Sequence, residues 1–323
     1  MTWIRPSVPK GSNGNSSSAQ SLHIGNYYGA IEKFIQLSWE KQFLIADSST
    51  LSWPDSCLDA INIVKSTAAY YALNVLGDNG YMYLQSGGRN KSFYELYTLL
   101  NSFTKVKDIL IELDARKTIE GKSYNINELD CLDFSYPNHM AADIILANPD
   151  EIPIGESNRW NIEYAQKLIQ RINEKIADPK QKLTIPKILL SEEADRQNIL
   201  WTCGTGVKMS KSDNNYLSIF VSQEERRKEI ERIANLSVSQ YLLKIIDSSI
   251  HPTDKIEHNK KQIFDMLEGI FREKNKLYDE IKEDTSFIYD ILNEGNEKHA
   301  KTADEVMEKI RPIFFRWYIP TNI

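Results

Sequence analysis

The sequence has little of what would mark an exported, membrane-bound or generally nucleic-acid-binding protein. Only three of its 323 residues are cysteine (Cys57, Cys131 and Cys203), far apart and with no C-x-x-C pair. This spacing points to reduced thiols in a cytoplasmic protein and away from a disulfide framework or a zinc or iron–sulfur site. No apolar run approaches the roughly 20 residues that a membrane helix needs. The start, Met1-Thr-Trp-Ile-Arg5, has neither the basic nor the apolar region of a signal peptide, so export is not expected. Positive charge is not in excess either. With 39 Lys and Arg against 45 Asp and Glu, the net charge is −6, which excludes a general polyanion binder but leaves room for a local basic surface. A true P-loop is also absent, because Ser86-Gly-Gly-Arg-Asn-Lys-Ser92 lacks the required spacing and reads as a turn.

What is present is an alternation of short apolar runs and helical patterns. Thr2-Trp-Ile-Arg5 reads as a strand, and Gly11-Ser-Asn-Gly-Asn-Ser-Ser-Ser18 as a flexible loop. Helical spacing covers Ala30 to Glu40. Gln42-Phe-Leu-Ile-Ala-Asp47 suits a buried parallel strand ending in a carboxylate, Asp55–Leu76 a helix, and Tyr81-Met-Tyr-Leu-Gln85 another strand. That order predicts an α/β fold with a parallel sheet, whose ligands sit at the carboxyl ends of the strands. Further on, residues 93–115 are predicted helical and 117–131 a mobile connection. A helix is expected from Tyr136 with Pro137 in its first turn, then a strand-to-loop segment over 151–158, a helix over 162–176 and a strand over 184–190. Helices over 223–246, 255–282 and 296–311 complete the chain, and no internal repeat is visible.

Two stretches carry chemistry. In Ser21-Leu-His-Ile-Gly-Asn-Tyr-Tyr-Gly-Ala-Ile31, the polar pair His23 and Asn26 and the small residues Gly25 and Gly29 fall where a loop enters a helix. The free backbone N–H groups of a helix start suit phosphate, and Gly25 permits close backbone approach. Far downstream, Lys208 and Lys211 lie with Met209, Ser210 and Ser212 on a loop that also contains Gly204 and Gly206. Such a loop brings cations to a phosphate group.

Together, His23-Ile-Gly-Asn26 and Lys208-Met-Ser-Lys-Ser-Asp213 resemble the two-part signature of class I aminoacyl-tRNA synthetases. Within that class the chain looks most like the tryptophanyl-tRNA synthetases, clearly from about residue 22 to 222. Tyr136-Pro-x-x-Met140-Ala-Ala-Asp143 resembles the family's amino-acid-binding helix, Ile152-Pro-Ile-Gly-Glu156 its next loop, and Leu292-Asn-Glu-Gly-Asn-Glu-Lys-His-Ala300 its terminal helix.

The resemblance implies a Rossmann-like doubly wound sheet, with a catalytic domain over 1–205 that includes a helical insertion at about 93–180. A helical, anticodon-binding domain would follow over 206–323. It implies activation of tryptophan by ATP with Mg2+, transfer to tRNA, no DNA or membrane partner, and a homodimer. The catalytic groups would be His23, Asn26, Lys208, Ser210 and Lys211. ATP would also meet Gly25, Gly155, Ser157, Met209 and Ser212, and no protein-held metal is expected. Tryptophan would meet Arg5, Tyr136, Met140, Asp143, Ile152, Ile154 and Asn158. In the family the Asp matching Asp143 accepts the indole N–H. A buried carboxylate suits a ring with one donor and no acceptor.

The chain departs from the pattern in three places. Trp3 replaces an expected glycine, and Ser7 to Gln20 contains an apparent insertion. Ser157-Asn158 stands for the family's Asp-Gln, and Asn161 for a His. The helical region beyond residue 222 is shorter and matches poorly. Two alternatives therefore stay open: a paralogue that activates tryptophan or a related amino acid for a non-translational acceptor, and a non-catalytic binder of tryptophan or a nucleotide.

Overall fold

The computed structural model describes residues 2–4, 22–49, 60–87, 90–120, 129–154, 159–190, 209 and 216–315. Strands β1 (Thr2–Ile4), β2 (Gln42–Ile45) and β3 (Tyr81–Leu84) run parallel in that spatial order. Trp3 pairs with Leu44, and Leu44 with Tyr83. Phe43, Leu44 and Ile45 are all buried, as an apolar central strand covered on both faces requires. A second parallel pair, β4 (Glu151–Ile154) and β5 (Lys187–Leu190), sets Ile152 opposite Ile188. Because β4 lies against β1, the strands read 3-2-1-4-5 across the molecule. That is the order of a Rossmann-like sheet, whose direction of winding reverses between β1 and β4.

The first helical stretch differs from expectation at both ends. It begins at Ile24 rather than Ala30, as α1 (Ile24–Asn26), a π-helical turn (Tyr27–Ile31) and α2 (Glu32–Gln36). It stops at Gln36, where Leu37 turns to extended backbone. Helix α3 (Ala60–Ala72) links β2 to β3.

The span expected as one helix over 93–115 is two, α4 (Lys91–Phe103) and α5 (Val106–Glu120), because Thr104 is extended and its hydroxyl meets Asn138 Oδ1 at 3.3 Å. Residues 117–120, read from sequence as a mobile connection, are the last turn of α5. After α6 (Cys131–Phe134), α7 (Tyr136–Ala147) carries Pro137 in its first turn and ends on Asn148 in left-handed conformation (φ 42°). Helix α8 (Arg159–Asn173) starts and ends three residues earlier than expected.

The single helix expected over 223–246 is also broken. It forms α9 (Gln223–Glu231) and α10 (Leu236–Ile246), the second capped by Asn235 through Ser237 N. Helix α11 (Ile256–Ile281) falls where expected, whereas α12 (Thr285–Phe314) is longer than the 296–311 pattern at both ends.

Helix α12 closes the edge of the sheet. Asn296 Oδ1 accepts the backbone N–H of Leu84 at 2.9 Å, satisfying a donor that an edge strand would otherwise present to solvent. A Cβ on Gly295 would stand 1.8 Å from the Met82 carbonyl, so only glycine lets the helix sit this close to β3. Farther along, Arg311 makes a two-point contact with Glu95 of α4, at 2.9 and 2.8 Å. The terminal helix adds Ile288 and Leu292 to the core around β2 and α3. Its later residues Ala303, Val306, Met307 and Ile310 join the core between α4, α7 and α8.

Candidate active site

Beyond their last residues, β2 and β3 release two polar runs, Asp47-Ser-Ser49 and Gln85-Ser86, into one buried network. The Gln85 side-chain oxygen accepts from Ser48 Oγ at 2.6 Å, Ser49 N at 2.9 Å and Ser49 Oγ at 3.1 Å. Three donors on one oxygen fix the orientation of the carboxamide. Its NH2 group therefore points the other way, to Asp143 Oδ2 at 2.7 Å. Asn90 Nδ2 holds the Gln85 carbonyl at 2.9 Å. Beside it, Ser86 donates to Asp47 from its backbone at 2.9 Å and from its hydroxyl. Asp47 is fully buried, and loss of solvation raises its carboxyl pKa although the Ser86 donors oppose the rise.

Helix α7 supplies the facing wall. Tyr136, Met140 and Asp143 recur at four and three residues, so they share one face, and all are buried. His139 completes this wall, with Nδ1 3.3 Å from Ser49 Oγ and its ring edge-on to Phe93 and Tyr97. Tyr83 of β3 is within electrostatic reach of Asp143. Burial, and secondarily the Asp143 charge, push its phenol well above the usual range. Ile152 and Ile154 share one face of β4 and pack into the core with Ala141, Ile144 and Leu168. Both belong to the core cluster that includes residues of α7 and α8.

The first signature is placed as its sequence suggested. His23 is the buried N-cap of α1, and its backbone N–H donates to Asn26 Oδ1 at 3.1 Å. That leaves the NH2 end of Asn26 outside the cap. Gly25 is half-buried between them. Ile24 N donates to the Leu217 carbonyl, and Ile219 N to that of Leu22, each at 2.9 Å. The segment following the Lys-Met-Ser-Lys-Ser run is thus bridged to the helix entrance. Met209 is buried in the same core as Leu22, Ile24 and Leu217. Arg5, Gly155, Ser157, Asn158, Lys208, Ser210, Lys211 and Ser212 lie outside the described residues.

A model of the family described as tRNA synthetases class I (W and Y) matches residues 12–311. The chain belongs to that family. Among individual relatives, the tryptophan–tRNA ligase of Campylobacter jejuni (strain RM1221) is 28% identical over 315 residues, covering 90% of this chain and 94% of its own length. That of Thermosynechococcus vestitus is 28% identical over 327 residues, covering 91% and 96%. The solved tryptophanyl-tRNA synthetase of Campylobacter jejuni, complexed with ADP and tryptophan, superposes with a TM-score of 0.75. It is 25% identical and covers 96% of this chain and 97% of its own.

Seen as a class I synthetase site, the network contains residues that the motifs did not single out: Gln85, Ser48, Ser49 and His139. Gln85 had one legible signal, a polar side chain directly after an apolar parallel strand, where α/β folds bind ligands. Ser49 and His139 had none, because their pairing joins positions 90 residues apart. Asn161, where the resemblance expects a His, is buried in the first turn of α8. Among the described residues no three His, Cys, Asp or Glu side chains gather into a metal-holding group.

Proposed function

We infer that the protein condenses tryptophan with ATP to tryptophanyl-adenylate and transfers the tryptophanyl group to tRNA. The observation that carries this reading is Asp143, a buried carboxylate oriented by Gln85 on a helix face shared with Tyr136 and Met140. A carboxylate accepts about four hydrogen bonds, so one carboxylate can take both the Gln85 amide and an indole N–H. Phenylalanine offers no such donor, and its entry would forfeit the contact. Tyr136 and Met140 would flank the ring, with Arg5 and Asn158 at the amino-acid head group. Ile152 and Ile154 would help enclose the ring.

In the first step a tryptophan carboxylate oxygen attacks the α-phosphorus, and the bond from that phosphorus to the bridging oxygen of the β-phosphate breaks. Pyrophosphate leaves with that electron pair. Catalysis of this kind is positioning and charge stabilisation. His23 and the NH2 end of Asn26 would donate to the phosphates, with Gly25 allowing close approach. Gly155 and Ser157 would face the ribose. Lys208 and Lys211, with Met209, Ser210 and Ser212, would stabilise the leaving pyrophosphate. Magnesium would neutralise triphosphate charge, carried by phosphate oxygens rather than by a protein cage. In the second step a terminal ribose hydroxyl of tRNA attacks the acyl carbon and AMP departs.

The same reading places ATP and amino-acid binding in residues 1–205 and anticodon contact in residues 206–323, in a cytoplasmic homodimer. The test is ATP–pyrophosphate exchange across all twenty amino acids, followed by charging of unfractionated tRNA. Exchange specific to tryptophan, with tryptophan then esterified to tRNA, is the expected result. Exchange with a different amino acid, or none from folded protein, overturns the reading.

A further inference from the structure

We propose that Arg226 is a positioning residue for adenylate formation, holding His23 and the downstream stem of the Lys-Met-Ser-Lys-Ser run in register from the helical half of the chain. The proposal rests on the activation reading above.

The stem is a short segment of irregular backbone, and its polar groups are taken up from two directions. On one side it pairs with the first signature in a single antiparallel bridge, His23 opposite Ser218. That bridge consists of the Leu217–Ile24 and Leu22–Ile219 hydrogen bonds already described. On the other side the first helix of the C-terminal half binds the same residues. Ser218 donates to Glu229 from its backbone at 2.7 Å and from its hydroxyl at 2.5 Å. Arg226 donates through one terminal nitrogen to the Ser218 carbonyl at 2.9 Å and through the other to the Ile219 carbonyl at 2.8 Å. Its third nitrogen, Nε, donates to Glu268 Oε1 of α11 at 2.7 Å.

Arg226 is only 1% exposed, and the Glu268 side chain 6%. A buried ion pair is a poor way to gain stability, since apolar residues of similar volume often do as well or better. The geometry points to placement instead. The planar fork spans two successive carbonyls while Nε is held by a second helix, an arrangement a lysine cannot reproduce. A shift of α9 or α11 would thus be passed to Ser218 and across one bridge to His23. The packing follows the same route. Phe271 of α11 lies edge-on to Tyr27, in the turn directly after α1, with ring centroids 5.0 Å apart. The Arg226 guanidinium lies 6.0 Å from the Phe271 ring.

The experiment compares wild type with Arg226→Lys and with the double variant Arg226→Met/Glu268→Leu. The double variant removes the fork without leaving a lone buried charge. Tryptophan affinity is read by equilibrium dialysis without ATP, and kcat by tryptophan-dependent pyrophosphate exchange. We expect tryptophan affinity within about twofold of wild type in both variants. The kcat should fall tenfold or more in the double variant and by a smaller factor in Arg226→Lys. A purely structural role would lower thermal stability and binding together and leave kcat of the folded fraction unchanged. Wild-type kcat in either folded variant overturns the proposal. Absence of exchange in the wild type itself overturns the activation reading and this proposal with it.

Discussion

Gln85 and Asp143 are 58 positions apart in the chain and joined by a 2.7 Å hydrogen bond at the carboxyl end of the parallel sheet. The Gln85 oxygen is saturated by Ser48 and Ser49, so the donor end of the amide is committed to the carboxylate. This contact orients the one acidic side chain that the proposed reaction needs for its amino acid.

Replacing either partner should therefore act on tryptophan binding first. Asp143→Ala removes a hydrogen bond to a charged group, for which about 1.5–3 kcal/mol is typical, or roughly 10- to 150-fold in affinity. Gln85→Glu places a second carboxylate against Asp143, and the two resist ionising together. Tryptophan binding by that variant should be weak at pH 8 and recover as pH falls toward 5. Dialysis over this range checks both, and a pH-independent Gln85→Glu variant of normal affinity would contradict the assignment.

His299 gives the fold a measurable acid sensitivity. Its ring stacks on Tyr83 with centroids 3.8 Å apart, and burial lowers its pKa from 6.5 to about 3. The folded form thus refuses a proton that the unfolded chain accepts below 6.5. Stability is full above that value and is lost as pH falls toward 3, with a slope of up to about 1.4 kcal/mol per pH unit from this group. His299→Phe keeps a ring against Tyr83 and removes the titration. Urea unfolding between pH 6.5 and 4 should show a shallower loss for the variant than for wild type.

Asp47 has the opposite sign. Its carboxyl is raised by burial, so its contribution is present below the ordinary value of 3.8 and is lost as pH rises through the raised folded value. Asp47→Asn removes that titration, together with the pH dependence of the hydrogen bonds from Ser86. Relative to wild type, the variant should gain stability as pH rises from 3.8 through the raised folded value, measured by the same unfolding titrations.

Gly295→Ala tests how closely α12 must approach β3. The added methyl would meet the Met82 carbonyl at 1.8 Å, a backbone atom that cannot swing aside. The helix must retreat, stretching the Asn296–Leu84 hydrogen bond. Overpacking of this kind costs about 1–3 kcal/mol, occasionally more. A fall in thermal midpoint is expected, whereas Ala at exposed Gly269, with no atom within 4 Å, should be neutral or slightly stabilising.

By itself the sequence determined the α/β alternation, the strands that lead into Asp47 and Gln85, and the two signature stretches with their family. Each is a local pattern: apolar runs of strand length, proline in a first turn, or a short motif whose residues act together. It also marked Tyr136, Met140 and Asp143, through their resemblance to the family's amino-acid-binding helix, and the structure sets them on one buried face of α7. Helix breaks at Thr104 and at Arg232–Asn235 escaped notice, since Thr104 is drawn out by Asn138 and Arg232 binds the Tyr216 carbonyl. Only the tertiary structure decided that Gln85 orients Asp143, that Gly295 and Asn296 close the edge of β3, and that Arg226 and Glu229 hold the partner of His23. Those contacts depend on side chains far apart in sequence meeting across a packed core, and no local spacing encodes which distant donor reaches which acceptor.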